Sequence, residues 1–567
     1  FPYTTLFRSS LMYSIYKMLP NDTDLTVFRA NGKIQGFNFA FIDSHFNYHT
    51  MQDSYEHLDP KTLAHQGSYL FPLLQYFSNA DLTNLNANDD KVYFSIPFAF
   101  VSYPFSWIVP MLILGGMLLI VFIFIGLGKQ LLHMEDLIKG FVPFFGAIIV
   151  SGAVTFVGWK LLLVFYPQYK DILQGFTYNG HDYIYAFVSL TLAICFLFYR
   201  NEDKKNREMN QLVAPLFIWL VINSAVAIKL QGAGFLIIPV IASSLMLGYY
   251  VITQKSNLVL NVILALPTLI IIAPFIQMFP IGLGLKILVG SAVLTVLGFA
   301  LLLPILGSFT QKKLWATLFF ILAIGWFVKA HQAAGYTEGK SKPNSLVYLL
   351  DADSNKANWA TYDTHLDEWT QGYLGEHPKE GTALNTNKLY SKYGSEFTFM
   401  AVAPIKKIAK PTIEFVTDSI VGNHRYLKIV ITPNRSINRY DIFSNTSIEN
   451  LKANGVKAIE LKSNIISNKT SNKILSYYVV DNAPLVMEFS VLSSQNLEMN
   501  YLESSFDLMT NPLFSMAKRR DWMMPTPFVL NDAVVIKGKI KPNEKIEIPI
   551  CKLPPKNTSV VVKESLK

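Results

Sequence analysis

Residues 107–127 read WIVPMLILGGMLLIVFIFIGL, a run with no charged side chain. A bilayer core about 30 Å thick needs roughly 20 apolar residues in one helix, so this stretch is read as a membrane span. Seven further stretches meet the same criterion, at 141–164, 183–199, 212–228, 233–252, 258–276, 285–306 and 314–329. Residues 105–330 are therefore expected to form an eight-helix transmembrane domain. Pro143, Pro239, Pro267 and Pro304 fall inside these runs, and membrane helices tolerate them where neighbours satisfy the freed backbone.

Composition agrees. Of 567 residues 51% are hydrophobic and only 16% charged, against about 25% charged in soluble domains; the mean hydropathy is +0.29. An aromatic share of 14% excludes disorder and fibrous repeats. The net charge of +9 is explained by lysine in cytoplasmic loops, and no nucleic-acid partner is expected. Cys195 and Cys551 lie far apart and make neither a disulfide framework nor a metal knuckle.

The loops give an orientation. Those after the first, third, fifth and seventh spans carry Lys129, Lys139, Arg200, Lys204, Lys205, Arg207, Lys255, Lys312 and Lys313, whereas the opposite loops carry only Lys160, Lys170, Lys229 and Lys286. The positive-inside rule places the first set in the cytoplasm. Eight crossings then leave both terminal segments extracytoplasmic. Span centres almost free of ionisable residues argue against a transporter and for an anchor.

Residues 1–9, FPYTTLFRS, resemble the translation of a sequencing adapter and are set aside as a non-native leader; the chain is expected to be N-terminally truncated. Residues 10–85 read as the end of an α/β domain. SLMYSIYKML (10–19) has helical periodicity, PNDTD (20–24) a turn, and FNFAFID (37–43) a strand with Phe37, Phe39 and Phe41 on one face. A loop rich in His and Asp follows, and Asp59-Pro60 starts a helix over 60–78. Ligand sites of open α/β sheets lie at such strand ends. His45, His49, His57 and His65 cluster here, but without the helical HExxH pattern of zincins.

The stretch TDLTVFRANGKIQGFNFAFIDSHFNYHTMQDSYEHLDPKTLAHQGSYL (23–70) resembles the C-terminal end of the co-catalytic di-zinc aminopeptidase family, which closes with an (S/T)-D-x-x-x-F segment, a turn, a strand and a Y-H-(T/S)-x-x-D loop. Spans and a β-rich region behind it are similar to the membrane-spanning branch typified by the endoplasmic-reticulum metallopeptidase and the fungal vacuolar membrane protease. The resemblance implies a zinc-dependent exopeptidase acting on peptide substrates, with two zinc ions in the family. By similarity His49 is the last zinc ligand. Tyr48 either stabilises the tetrahedral oxyanion or simply packs, and Asp53 either fixes the loop behind the imidazole or only caps its turn. Asp24 matches a structural aspartate. The family's H-x-D motif, Glu-Glu pair and further aspartates are absent from residues 10–80, so this chain is expected to be inactive by itself. The alternative is a non-enzymatic membrane scaffold or binding protein carrying a degenerate peptidase remnant. A bacterial inner membrane is favoured over endoplasmic reticulum or vacuole.

Residues 335–567 turn polar and β-branched, with short strands expected at 411–418, 426–432, 474–480, 485–491 and 534–539, as in a β-sandwich. DADSNKANW (351–359) echoes a calcium loop, but Lys356 stands where glycine is needed and Tyr362 where glutamate is, so a polar turn is expected. Trp359 and Trp369 are read as buried aromatics.

Overall fold

The computed structural model describes residues 8–18, 23–39, 42–83, 89–97, 99–200, 207–457, 465–466 and 472–541. The chain divides into two compact units, Phe1–Asn344 with Arg519–Phe528, and Ser345–Lys518 with Val529–Lys567.

The first unit begins with helices α1 (Ser10–Met18), α2 (Asp24–Gly32) and α3 (Pro60–Asn79), then a hairpin of β1 (Lys91–Ile96) and β2 (Ala99–Pro104). The apolar helices follow: α4 (Ile108–Gly128), α5 (Met134–Phe165), α6 (Gly180–Phe198), α7 (Arg207–Gln211), α8 (Val213–Lys229), α9 (Ile237–Thr253), α10 (Leu258–Leu283), α11 (Leu288–Leu301), α12 (Leu303–Leu306) and α13 (Lys312–Gln332). Seven helices among the described residues are long and apolar enough to cross a membrane, and the chain is a multi-pass membrane protein. The expected eighth span, 285–306, is built differently: a 3-10 turn, the 14-residue α11 and the one-turn α12, with Pro304 starting the last piece.

The outward side chains of α4 and α5 explain why water is the wrong solvent. Ile113, Met117, Phe124, Ile149 and Phe156 are all more than half exposed, and a lipid chain replaces water there at no cost. Inside, backbone groups freed by proline find partners. Pro280 cannot donate to the carbonyl four residues earlier, and the Ser291 hydroxyl of α11 donates to that Ile276 carbonyl at 2.6 Å. At the span ends, Lys329 of α13 pairs with Asp182 of α6 at 2.9 Å.

Two expectations for residues 10–85 are corrected. Among the described residues before 84 no strand forms. Residues 33–39 are irregular, with Phe37 and Phe39 exposed, and Phe41 lies outside the described residues. The alternation of phenylalanines marks one face, but a strand also needs ladder pairing with a neighbouring strand, and among the described residues of this stretch no strand pairing is present. Of the turn expected at 20–24, residues 20–22 lie outside the described residues, and Asp24 is already helical. It opens α2 behind Thr23, whose backbone N–H donates to the Thr26 hydroxyl. The α3 start is as expected, with the Asp59 carboxylate accepting from the Lys61 N–H at 3.0 Å and Pro60 next in line.

The second unit contains two sheets that share one core. Here β4 (Val347–Asp351) to β18 (Ala533–Lys539) include β5 (Lys356–Thr361), β6 (Lys379–Glu380), β7 (Phe399–Val402), β8 (Thr412–Val421), β9 (His424–Thr432), β10 (Arg439–Ser444), β11 (Ile448–Ala453), β12 (Val456–Lys457), β13 (Ile465–Ile466), β14 (Lys473–Tyr478), β15 (Leu485–Leu492) and β16 (Met499–Ser505). One sheet runs β14-β10-β16-β18-β4-β5-β7-β6, the other β12-β11-β15-β9-β8 with β13 on β11. Ile429, Ile431, Met487 and Phe489 from the second sheet meet Tyr440, Ile442, Tyr501 and Ile536 from the first, the sandwich arrangement. The 351–355 segment is the polar turn of the β4–β5 hairpin, with the Asp351 carboxylate accepting from the Asp353 and Ser354 N–H groups. Trp359 and Trp369 are buried. Cys551 lies outside the described residues.

Candidate functional site

The loop between residue 42 and α3 folds as a run of tight turns. The Tyr48 N–H donates to the His45 carbonyl, Thr50 to Asn47, and Asp53 to Thr50. The Thr50 hydroxyl also donates to the Asn47 carbonyl at 2.7 Å and accepts from the Gln52 N–H at 3.1 Å. This compression forces His49 into the left-handed region, φ 56°, which costs a residue with a Cβ roughly 1–2 kcal/mol. Asp53 offsets that cost, because its Oδ2 accepts from the His49 N–H at 3.1 Å. The result is an exposed imidazole held out from the loop.

Tyr48, His49 and Asp53 are thus together. The Tyr48 and His49 rings lie 3.9 Å apart, centroid to centroid, and Tyr48 is exposed beside the imidazole. His57 and His65 are elsewhere: His57 Nδ1 contacts the Ser54 hydroxyl at 3.1 Å, and His65 Nε2 contacts the Tyr69 hydroxyl one turn along α3.

Residues without a signal in the sequence fasten this loop. Asp43 pairs with His181 Nε2 at 2.9 Å. Burial pushes the Asp43 carboxyl up, but the His181 hydrogen bond and charge outweigh it and leave its pKa below the ordinary carboxylate range. His45 and Phe46 stack on Phe176, and Phe46 also meets Tyr178 at 4.8 Å. Burial lowers the His45 pKa, opposed by the Asp43 charge. Gln52 is buried, its amide donating to the Glu338 carbonyl at 2.7 Å and to the Ser341 hydroxyl at 2.6 Å. The Ile42 Cγ2 lies 3.4 Å from where a Cβ on Gly282 would stand, and the Ser10 hydroxyl of α1 donates to the Gly232 carbonyl at 2.6 Å. Partners 130 or more positions away leave no local pattern from which to read them.

A zinc centre needs three or four nitrogen, oxygen or sulfur ligands converging on one point. Among the described residues no three His, Cys, Asp or Glu side chains gather so. His49 can supply one neutral imidazole, and its neighbours do not complete a site.

Residues 7–74 match the model of peptidase family M28. This likeness is confined to the N-terminal segment. That segment contains α1, α2, the His49 loop and most of α3. The chain is also similar to endoplasmic reticulum metallopeptidase 1, at 24% identity over 182 residues of the Rattus norvegicus protein and 24% over 177 residues of the Homo sapiens one, each covering 30% of this chain. The matched stretch spans 19% of those relatives' length. No solved structure matches. The M28 resemblance and the membrane-spanning branch thus stand together on one chain.

Proposed function

We infer that this chain is the membrane-anchoring part of a zinc-dependent exopeptidase of the aminopeptidase type, acting on peptide substrates at the extracytoplasmic face of a lipid bilayer. The observation that carries this reading is the M28 loop itself, with His49 projecting from a strained turn that Asp53 pins. In this reading His49 is a zinc ligand, Asp53 fixes its orientation, and Tyr48 aims a hydroxyl at charge developing on the scissile carbonyl. Zinc would supply Lewis-acid polarisation and an activated water. One imidazole does not make a two-zinc centre, so residues 8–83 supply a ligand and its support and are inactive alone.

Topology supports the placement. The M28 segment meets the start of α6, the turn after α8 and the segment after α13 through His181, Gly232 and Ser341, and Ile42 lies beside Gly282 at the end of α10. These points all fall on the side with four basic residues rather than nine. For Gly282 and Ser341 to share that side, residues 285–306 must cross the bilayer as well. At 1.5 Å per helical residue that stretch reaches about 33 Å, enough for an eighth pass.

The test is hydrolysis of aminoacyl-coumarin substrates by the complete protein. Activity should vanish with chelator, return with zinc and be lost in His49→Ala. Chelator-resistant or His49-independent hydrolysis would overturn the assignment, and zinc-free protein without peptidase activity would favour the scaffold reading.

A further inference from the structure

The segment after the last membrane helix is tied to everything around the His49 loop. Ser341, Lys342 and Asn344, which follow the end of α13 at Gln332, are almost completely buried. The short strand β3 (Lys342–Asn344) pairs in parallel with β17 (Met523–Pro525). That pairing is extended at both ends by the Lys342 N–H donating to the Trp522 carbonyl and the Thr526 N–H donating to the Asn344 carbonyl, each at 2.8 Å. Tyr178, from the loop ahead of α6, donates its hydroxyl to the Ser341 carbonyl at 3.0 Å.

Two contacts carry this assembly to the imidazole. Gln52, three residues beyond His49, is anchored on Glu338 and Ser341. Phe528, three residues beyond β17, sets its ring edge-on to the His49 imidazole with centroids 5.7 Å apart. Phe528 stands at φ 65°. A bulky residue in that region is a genuine outlier, and such strain persists where the surroundings over-determine it. His49 and Phe528 are thus both left-handed and face each other.

We propose that residues 338–344 and 523–528 form a clamp that sets the position of the His49 imidazole, with Gln52 and Phe528 as positioning residues. The inference rests on the reading of His49 as a zinc ligand. Gln52 fixes the loop's backbone from below, and Phe528 limits ring rotation from the side. Both holds depend on chain that follows the last membrane helix, so the M28 segment by itself would present a loose imidazole. The position of α13 is thereby coupled to the site.

The experiment compares Gln52→Ala, Phe528→Leu, Phe528→Tyr and His49→Ala in the complete protein by amide hydrogen exchange, melting temperature and zinc affinity against a fluorescent chelator. Gln52→Ala, which removes two hydrogen bonds, and Phe528→Leu, which removes a ring contact, should each speed exchange across residues 45–53 about tenfold. They should weaken zinc binding about 10- to 100-fold, as supports behind a metal ligand do, with exchange in the second unit and the melting temperature unchanged. Phe528→Tyr, which keeps the ring, should behave as wild type. Unchanged exchange, or faster exchange with zinc affinity intact, overturns the clamp while leaving the ligand reading in place. Zinc affinity indifferent to His49→Ala strikes at the ligand reading itself and takes the positioning role with it.

Discussion

Replacing Asp53 by alanine tests the geometry of the loop most sharply. His49 holds φ 56°, a conformation costing roughly 1–2 kcal/mol for a residue with a Cβ. The single bond from its N–H to Asp53 Oδ2, at 3.1 Å, opposes that cost. Both residues are exposed, so the bond is worth about 1 kcal/mol rather than the larger value of a buried charged pair. Without it the strain is uncompensated, and the balance between the formed and opened turn shifts by about 1 kcal/mol, close to fivefold at 25 °C. Hydrogen exchange at the His49 and Thr50 amides, read by mass spectrometry, should accelerate by that factor in Asp53→Ala. Asp53→Asn keeps a side-chain carbonyl as acceptor and should lose less than half as much. In a His49→Gly background the strain is gone, and the same alanine change should have a smaller effect. Equal exchange in Asp53→Ala and wild type, or equal damage from alanine and asparagine, would refute the account.

Three other predictions follow from buried groups. Burial lowers the His45 pKa below its ordinary 6.5, so below pH 6.5 the folded loop binds fewer protons than the opened one and its stability falls as the pH drops. Exchange across residues 43–53, corrected for intrinsic rate, should rise below pH 6.5 in wild type and not in His45→Phe; the low carboxyl of Asp43 titrates beneath this window, and an identical pH dependence in the two proteins would exclude His45. In the second unit Glu503 is fully buried, accepting from Arg435 Nε at 2.8 Å and the Tyr440 hydroxyl at 3.0 Å, so Arg435→Met should cost about 3–5 kcal/mol by stranding a carboxylate. Denaturant unfolding measures it, and the Arg435→Met, Glu503→Gln pair should recover much of the loss. In the membrane, Ser291→Ala removes the donor on the Ile276 carbonyl beside Pro280 and should destabilise the α10–α11 contact by about 0.6–1.7 kcal/mol, read as steric trapping or detergent unfolding.

How much was legible in the sequence depended on whether the signal was local. Long uncharged runs announced the spans, because the bilayer demands length and apolarity from each helix separately. The strands with clean alternation, such as β9 and β15, were legible too, since one face is buried against the partner sheet. By contrast β10 and β16 carry Arg439, Asp441 and Glu503 in buried positions, where pairing replaces apolarity and alternation fails. Phe37 and Phe39 misled for the opposite reason: the pattern of a strand is present, and among the described residues no strand pairs with it. At the site, the Y-H-T-x-x-D spacing pointed to Tyr48, His49 and Asp53, and the structure brings them into one turn. Gln52 occupies a variable position of that spacing, and Phe528 lies 479 positions from His49. Their importance comes from tertiary contacts alone.

The most direct measurement is the zinc bound per chain by the complete purified protein, wild type against His49→Ala, with His57→Ala as the control from the same loop. The account predicts that zinc falls in His49→Ala and holds in His57→Ala. Equal zinc in wild type and His49→Ala would contradict it.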